Sequence, residues 1–440
     1  MVESLTQLLD LMRDNGAHRI YAKKLSSNDN SKNQVYLGAG FAALNVIPHG
    51  EIYVDRTERA GSKQDRPKAG VRFFWVDEGG KHLAPDANLI LYPDYPEVRM
   101  SGFLKGCRAA PSHLMTVRDA GRVLFFGVTL DGEVLGYATD HASPITAQLN
   151  AYTWPALGVF LELPLQFGEP ADPKTVLLDE LRRIHDLGWI ASQKLARNGM
   201  KMPYAARNAG GYTLEAELGV LPNGYAEPDF MGWEIKQYAV RDFTNFAPKS
   251  VVTLMTPEPT GGFYKSASAT EFVRRFGYAD KSGKEDRLNF GGIYSCQKAF
   301  HADTGLRMTL NGYDAAAGKI IDIDGGLALV TPDGEEAASW SFAGMMKHWN
   351  RKHAQAAYVP SLHRSPPPEY AYGHRVLLCE QTDFLLFLKA FASGEVYYDP
   401  ALKLEKASST SPDLHRRSQF RVRHTHLSKM YHRHEIVSLD

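Results

Sequence analysis

Asp229, Glu234 and Lys236 lie close together in the stretch PDFMGWEIKQY, among apolar and aromatic neighbours. If GWEIKQY is a strand, its side chains alternate, so Glu234 and Lys236 share one face while Trp233 and Ile235 share the other. The apolar face can then pack on a core, and the opposite face presents a carboxylate beside an amine. Asp229 follows Pro228, and Phe230-Met231-Gly232 lets the chain turn back, which brings the aspartate towards Glu234. Two converging carboxylates repel each other unless a cation lies between them. A hard divalent ion such as Mg²⁺ takes oxygen ligands of this kind, and the Ile235 backbone carbonyl could complete the set. The lysine ammonium would then position a water, or stabilise the negative charge that develops when that water attacks a phosphodiester. By spacing alone, the commoner reading of such a trio is the wet face of a strand.

The elements that must hold these residues can be read in outline. Up to about residue 165, short runs of aromatic and aliphatic residues predict a mostly β domain: VRFFWV (71–76), ANLILY (87–92) and RVLFFGVTL (122–130). Asp131-Gly132 predicts a hairpin turn into EVLGYAT, and an amphipathic helix opens the chain. GEPADPK (168–174), with two prolines and a glycine, reads as a linker. The expected division is therefore residues 1–167, a linker at 168–175, and 176–440. The last segment mixes helices and strands and begins with Val176, Leu177, Leu181, Ile184 and Leu187 at helical spacing.

Composition sets the outer limits. The chain has 440 residues, formal net charge zero and 44% hydrophobic residues, ample for two cores. No run is long and apolar enough for a membrane span, so the expectation is a cytoplasmic protein with no membrane partner. Cys107, Cys296 and Cys379 are too far apart in sequence for a disulfide framework or a zinc pattern. Local charge does point to nucleic acid. Near the C-terminus Arg416, Arg417, Arg421, Arg423, Lys429 and Arg433 are opposed only by Glu435. Phe420 and Val422 alternate with Arg421 and Arg423, so a strand would aim both arginines in fixed directions, as base reading requires. The paired histidines His424/His426 and His432/His434 lack the cysteine or carboxylate partners of a recognised metal pattern.

The trio follows the logic of the PD-(D/E)xK nucleases, and its upstream context narrows the match. GGYTLEAELGVLPNGYAEPDFMGWEIK resembles the core motif of the MvaI/BcnI family of type II restriction endonucleases: Gly-x-Thr-Leu-Glu, Leu-Gly, Asn, Pro-Asp, then Gly-x-Glu-x-Lys. The resemblance implies an α/β PD-(D/E)xK restriction-endonuclease-like fold and Mg²⁺ as cofactor, with Asp229, Glu234 and the Ile235 carbonyl as ligands. It adds Glu215, expected on a helix beginning near Thr213, as a fourth catalytic residue beside Asp229, Glu234 and Lys236. It also implies that Arg421 and Arg423 contact DNA.

At the other end, IYAKKLSSNDNSKNQVYLGAGF (20–41) resembles the start of the EcoRII-type effector domain of type IIE restriction enzymes, a B3-like β-barrel that grips DNA between two arms. One arm would carry Lys23, Lys24, Ser26, Asn28, Asp29 and Lys32, and the other Glu97, Arg99, Lys105 and Arg108. Together the resemblances imply a bacterial monomer that binds two CCWGG-like sites in double-stranded DNA, one per domain. It would leave 5′-phosphate ends and be paired with a cognate DNA methyltransferase. The alternatives are a structure-directed or repair nuclease with the same metal site, and a DNA-binding regulator with an inactive nuclease fold.

Overall fold

The computed structural model describes residues 2–27, 34–56, 66–93, 95–165, 173–196, 199–206, 208–220, 229–249 and 251–440. They divide into two compact units, Met1–Asp172 and Pro173–Asp440. Among the described residues no helix is long and apolar enough to cross a membrane.

In the first unit, helix α1 (Leu5–Asp14) starts where the Ser4 hydroxyl accepts from the Gln7 N–H at 3.2 Å, a side-chain N-cap. Leu5, Leu8, Leu9 and Met12 recur at helical spacing and are buried, so one stripe of α1 faces the core. The strands in chain order are β1 (Ala17–Lys24), β2 (Gln34–Ala39), β3 (Ile52–Asp55), β4 (Arg66–Gly70), β5 (Phe73–Asp77), β6 (Gly80–Ala84), β7 (Asn88–Tyr92), β8 (Glu97–Ser101), β9 (Val123–Thr129), β10 (Val134–Thr139), β11 (Ala156–Leu157) and β12 (Phe160–Leu163). Two helices join them, α2 (Ser112–Met115) and α3 (Pro144–Asn150). The β9–β10 hairpin turns at Asp131-Gly132, where Gly132 takes φ +73°.

Among the described residues the expected N-terminal β-barrel is not found. The strands form two open sheets, one ordered β11-β12-β1-β9-β10-β5-β6 and the other β2-β8-β7-β4-β3, and neither closes on itself. Closure requires the two edge strands to share a hydrogen-bond ladder. Here β11 is only two residues long, and β6 carries Lys81 and His82, bound to Glu133 and Asp77. Short and charged edges of this kind keep a sheet open. The consecutive strands β1 and β2 also belong to different sheets rather than to one continuous wall.

The second unit opens with α4 (Pro173–Asp186), which buries Leu177, Leu181 and Ile184, while Leu187 lies beyond its end and is exposed. After it come β13 (Ile190–Ala191), β14 (Gln193–Leu195), β15 (Lys201–Pro203), α5 (Ala209–Glu217), β16 (Glu234–Ala239) and β17 (Val252–Met255). Further along are α6 (Phe342–His353), β18 (Gln355–Arg364), β19 (Glu369–Tyr372), β20 (Arg375–Thr382), β21 (Val396–Tyr398), β22 (Phe420–Val422) and β23 (Tyr431–Ser438). The central sheet runs β13-β19-β18-β20-β23, with β16 joined to β18 in parallel. One face of β16 packs into a core of Leu177, Leu181, Ile184, Leu214, Trp233, Ile235 and Val359, so α4 and α5 cover that side of the sheet.

Candidate active site

Asp229 reaches the strand through a tight turn. Phe230 and Trp233 exchange backbone hydrogen bonds at 3.0 and 2.8 Å, and the two residues between them, Met231 and Gly232, both have positive φ (46° and 87°). Positive φ at both central positions is the pattern of a type I′ hairpin turn. The chain therefore folds back sharply, and the Ile235 N–H donates to Asp229 Oδ2 at 2.8 Å. This bond orients the aspartate against the strand that carries the other two groups.

Glu234 and Lys236 share a face, as the alternation requires, and the Lys236 ammonium donates to Glu234 Oε1. That face is not wet. Glu234 is 2% exposed, whereas Trp233 and Ile235 fill the core on the other side. What covers it comes from distant sequence. Tyr358, the register partner of Lys236 on β18, places its hydroxyl 3.1 Å from that of Tyr431, the first residue of β23. His353 Nδ1 lies 3.1 Å from the same Tyr431 hydroxyl, and its Nε2 lies 3.0 Å from the Leu254 carbonyl. Burial pushes the phenols of Tyr358 and Tyr431 well above their ordinary range, and the Glu234 charge pushes both in the same direction. The buried carboxylate thus has an ammonium on one side and neutral phenols nearby.

Glu215 sits on α5, which begins at Ala209 rather than near Thr213, so the glutamate lies in the second turn and is half-buried. Three features hold the helix on the sheet. The Tyr372 hydroxyl donates to the Gly210 carbonyl at 2.7 Å. Thr213 Oγ accepts from the Gln193 N–H at 3.1 Å. Gly210 itself approaches so closely that a Cβ there would meet Tyr370 Cε1 at 2.9 Å and Gln237 at 3.1 Å. The Tyr212 phenol is raised by burial and then by the Glu215 carboxylate, so the two side chains are neighbours. Glu217, two residues on, has a structural task. Its side chain is 6% exposed and accepts from Gln193 Nε2 and Lys201 Nζ, each at 2.6 Å, which ties α5 to β14 and β15.

The donors on the strand suit a hard divalent cation: two carboxylates and a backbone carbonyl, all oxygen. Glu215, Asp229 and Glu234 do not form a group whose ligand atoms all lie within 4.8 Å of one another. Among the described residues, the group of three metal-ligating side chains with atoms within 4.8 Å of one another is His185, His374 and Asp440. Reading by short spacing missed that group because its members come from three distant segments. The same limit hid Tyr358, Tyr431 and His353.

The expected DNA-contact residues are scattered. Arg421 lies on β22 with Phe420 and Val422 buried on either side, and its guanidinium donates to Asp399 at 2.6 Å and Thr253 at 3.2 Å. Arg423 follows the strand and is exposed. In the first unit, Lys23 is 4% exposed with its ammonium on the Lys24 carbonyl at 3.2 Å, while Lys24 itself is exposed. Ser26 is exposed, and its carbonyl accepts from the buried Arg122, which also donates to the Leu114 and Asp119 carbonyls. Asn28, Asp29 and Lys32 lie outside the described residues. On β8, Arg99 donates to Glu97 at 2.8 Å and stacks over Tyr92. Lys105 pairs with Asp86 at 3.0 Å, and Arg108 is exposed.

An aspartate turned back onto a strand that carries Glu-x-Lys, in a mixed sheet with α4 and α5 packed on one face, defines a PD-(D/E)xK nuclease domain. Residues 178–431 match the MvaI/BcnI restriction endonuclease family. The chain belongs to that family. Two solved structures are similar over 62% of this chain and all of theirs. The complex of restriction endonuclease MvaI with cognate DNA is 16% identical at a TM-score of 0.46, and MvaI in the absence of DNA is 15% identical at 0.34. No curated protein sequence is significantly similar to the chain.

Proposed function

We propose that the protein is a Mg²⁺-dependent restriction endonuclease that cleaves DNA at a CCWGG-like sequence, leaving 5′-phosphate and 3′-hydroxyl ends. The observation that carries this reading is the buried Glu234, joined to Lys236 and flanked by an Asp229 that the type I′ turn fixes against the Ile235 N–H. Asp229, Glu234 and the Ile235 carbonyl would hold the cation, which supplies Lewis acidity to the scissile phosphate and acidifies water.

Each side chain then has a distinct role. Asp229 commits Oδ2 to the backbone, which fixes its orientation. Glu234, packed beneath the site, supplies negative charge that water cannot screen. Lys236, with its side chain 21% exposed, can reach a phosphate oxygen and stabilise charge as it develops there. Glu215, on α5, would serve as the fourth catalytic residue. Arg421 and Arg423 would contact the duplex, Arg421 with a guanidinium already oriented by Asp399. One such centre cuts one strand at a time, so a monomer must rebind or reorient to cut the second strand.

In this reading the first unit binds a second CCWGG-like site, through Lys24, Ser26, Arg99, Lys105 and Arg108 among the described residues, and thereby influences cleavage. The enzyme would act in the bacterial cytoplasm alongside a methyltransferase that protects the host sites.

The test is incubation with plasmid DNA and Mg²⁺, followed by mapping of the ends. Discrete fragments ending at CCWGG sites, lost with Asp229→Ala, are expected. Intact DNA with the wild-type protein would indicate a binding regulator, and cuts that follow DNA structure rather than sequence would indicate a repair-type nuclease. A CCWGG duplex added in trans should change the rate. A rate unaffected at every duplex concentration would exclude the second-site role.

A further inference from the structure

A cluster of metal-ligating side chains shares no residue with the proposed catalytic set. His185 comes from the end of α4, His374 from the turn between β19 and β20, and Asp440 from the residues after β23. Each offers one ligand atom, and these atoms lie within 4.8 Å of one another. We infer that His185, His374 and Asp440 form a site for a zinc-like divalent transition metal that clasps α4, the β19–β20 turn and the C-terminal residues together.

Three observations support the site. First, the tautomer of His185 is set. Its Nδ1 lies 2.7 Å from the Tyr372 carbonyl, an acceptor only, so Nδ1 carries the proton and Nε2 presents a lone pair. A ligating histidine is usually oriented in this way, by a backbone carbonyl on its other nitrogen. Second, His374 Nε2 and Asp440 Oδ2 are 3.6 Å apart. Two ligands of one tetrahedral zinc, bonded at about 2.0–2.1 Å, stand roughly 3.3 Å apart. That pair is therefore already near its coordinated spacing. Third, Asp440 is held in place by its neighbour. The Leu439 N–H donates to the His374 carbonyl at 2.8 Å, Arg182 Nε donates to the Leu439 carbonyl at 2.7 Å, and the Leu439 side chain is buried.

The donor set defines the ion class. Two imidazoles and one carboxylate favour zinc and its neighbours over magnesium or calcium, which prefer all-oxygen shells. Three protein ligands leave a fourth position for water. This site is independent of the nuclease reading, because none of its ligands belongs to the proposed catalytic set.

The experiment uses the full chain stripped with a chelator and titrated with Zn²⁺ against a chromophoric competitor, alongside thermal melting with and without the ion. The wild type should bind one equivalent that His374→Ala loses. Asp440→Asn should weaken that equivalent on the order of tenfold or more. Asp229→Ala and a His432→Ala/His434→Ala double variant should keep it, and only proteins that keep it should gain melting temperature with zinc. Equal binding by the wild type and His374→Ala, with circular dichroism showing both folded, would overturn the inference. Loss of the equivalent in Asp229→Ala would also overturn it, since the ion would then belong to the nuclease strand.

Discussion

The Glu234–Lys236 pair predicts an asymmetric response to neutralisation. Glu234 is 2% exposed, so its carboxylate cannot turn to water if Lys236 is lost. Lys236, with its side chain 21% exposed, can swing its ammonium outward if Glu234 is lost. Removing one partner of a buried pair costs about 3–5 kcal/mol, because the other charge is left buried. Lys236→Met should fall near the lower end, about 3 kcal/mol, because the pair is only partly closed to solvent. Glu234→Gln keeps shape and some hydrogen bonding, so it should cost about 1 kcal/mol. For a unit of this size, each kcal/mol is worth roughly 2–4 °C of melting temperature, so the lysine variant should melt about 6–12 °C below the wild type. The double variant should recover part of that loss, because it buries no charge. Mg²⁺ should rescue Lys236→Met selectively, since a cation bound at the strand replaces the missing ammonium. At a hundred times its dissociation constant it would return about 2.7 kcal/mol. Melting the three variants and the wild type, with and without Mg²⁺, reads all of this without any cleavage assay. Equal losses for the two single variants, or no differential rescue by Mg²⁺, would refute the argument that the buried carboxylate is the costly partner.

Three further expectations follow from particular contacts. Gly210→Ala places a Cβ 2.9 Å from the Tyr370 ring. It should therefore lift α5 from the sheet, cost about 1–3 kcal/mol and lower cleavage by displacing Glu215, as denaturant melts and end-mapping assays would show. Met231→Asn replaces a positive-φ methionine, 52% exposed, by a residue that a type I′ turn favours. It should stabilise the protein by up to roughly 1–2 kcal/mol, the cost of the left-handed conformation for an ordinary side chain, and leave cleavage intact, whereas a loss of stability would contradict the turn assignment. Burial holds the His424 imidazole below its ordinary pKa of 6.5, and among the described residues its Nε2 has no hydrogen-bond partner. Below that value the unfolded chain takes up the proton more readily, so stability present at neutral pH is lost as pH falls from about 6.5 through the depressed folded value. Melts between pH 5 and pH 8 should show a shallower acid decline for His424→Gln than for the wild type.

Local pattern made the strand that carries Glu234 and Lys236 legible, but not its surroundings. Alternation correctly separates Trp233 and Ile235 from Glu234 and Lys236, and Phe230-Met231-Gly232 does form the turn that returns Asp229 to the strand. The same alternation suggests a solvated polar face, whereas Glu234 is buried. The cover comes from Tyr358, Tyr431 and His353, whose approach depends on tertiary pairing that short spacing does not encode. The start of α5 at Ala209 differs from the expected start near Thr213 for a related reason. Gly210 and Gly211 are poor local helix signals, and packing of Gly210 against Tyr370, Tyr372 and Gln237 carries the helix through them. In the first unit the short strands and the Asp131-Gly132 hairpin were visible, but the closure of sheets was not. It depends on edge strands such as β6, where Lys81 and His82 bind Glu133 and Asp77.

The parallel pairing of β16 with β18 has a consequence for the timing of synthesis. Glu234 aligns with Ala356 across a long intervening stretch of chain, and the phenol nearest the end of that buried network, Tyr431, begins β23. Such distant contacts form only after the loop between them has closed, at an entropic cost that local turns do not carry. A nascent chain that has emerged as far as Lys236 therefore holds the motif without the partner strand or the cover it needs. The proposed catalytic centre is therefore complete only once β23 has been made and has docked. For an enzyme that attacks DNA, this order of assembly delays the hazard until the segments proposed to choose the target, Arg421 and Arg423 among them, have also been made.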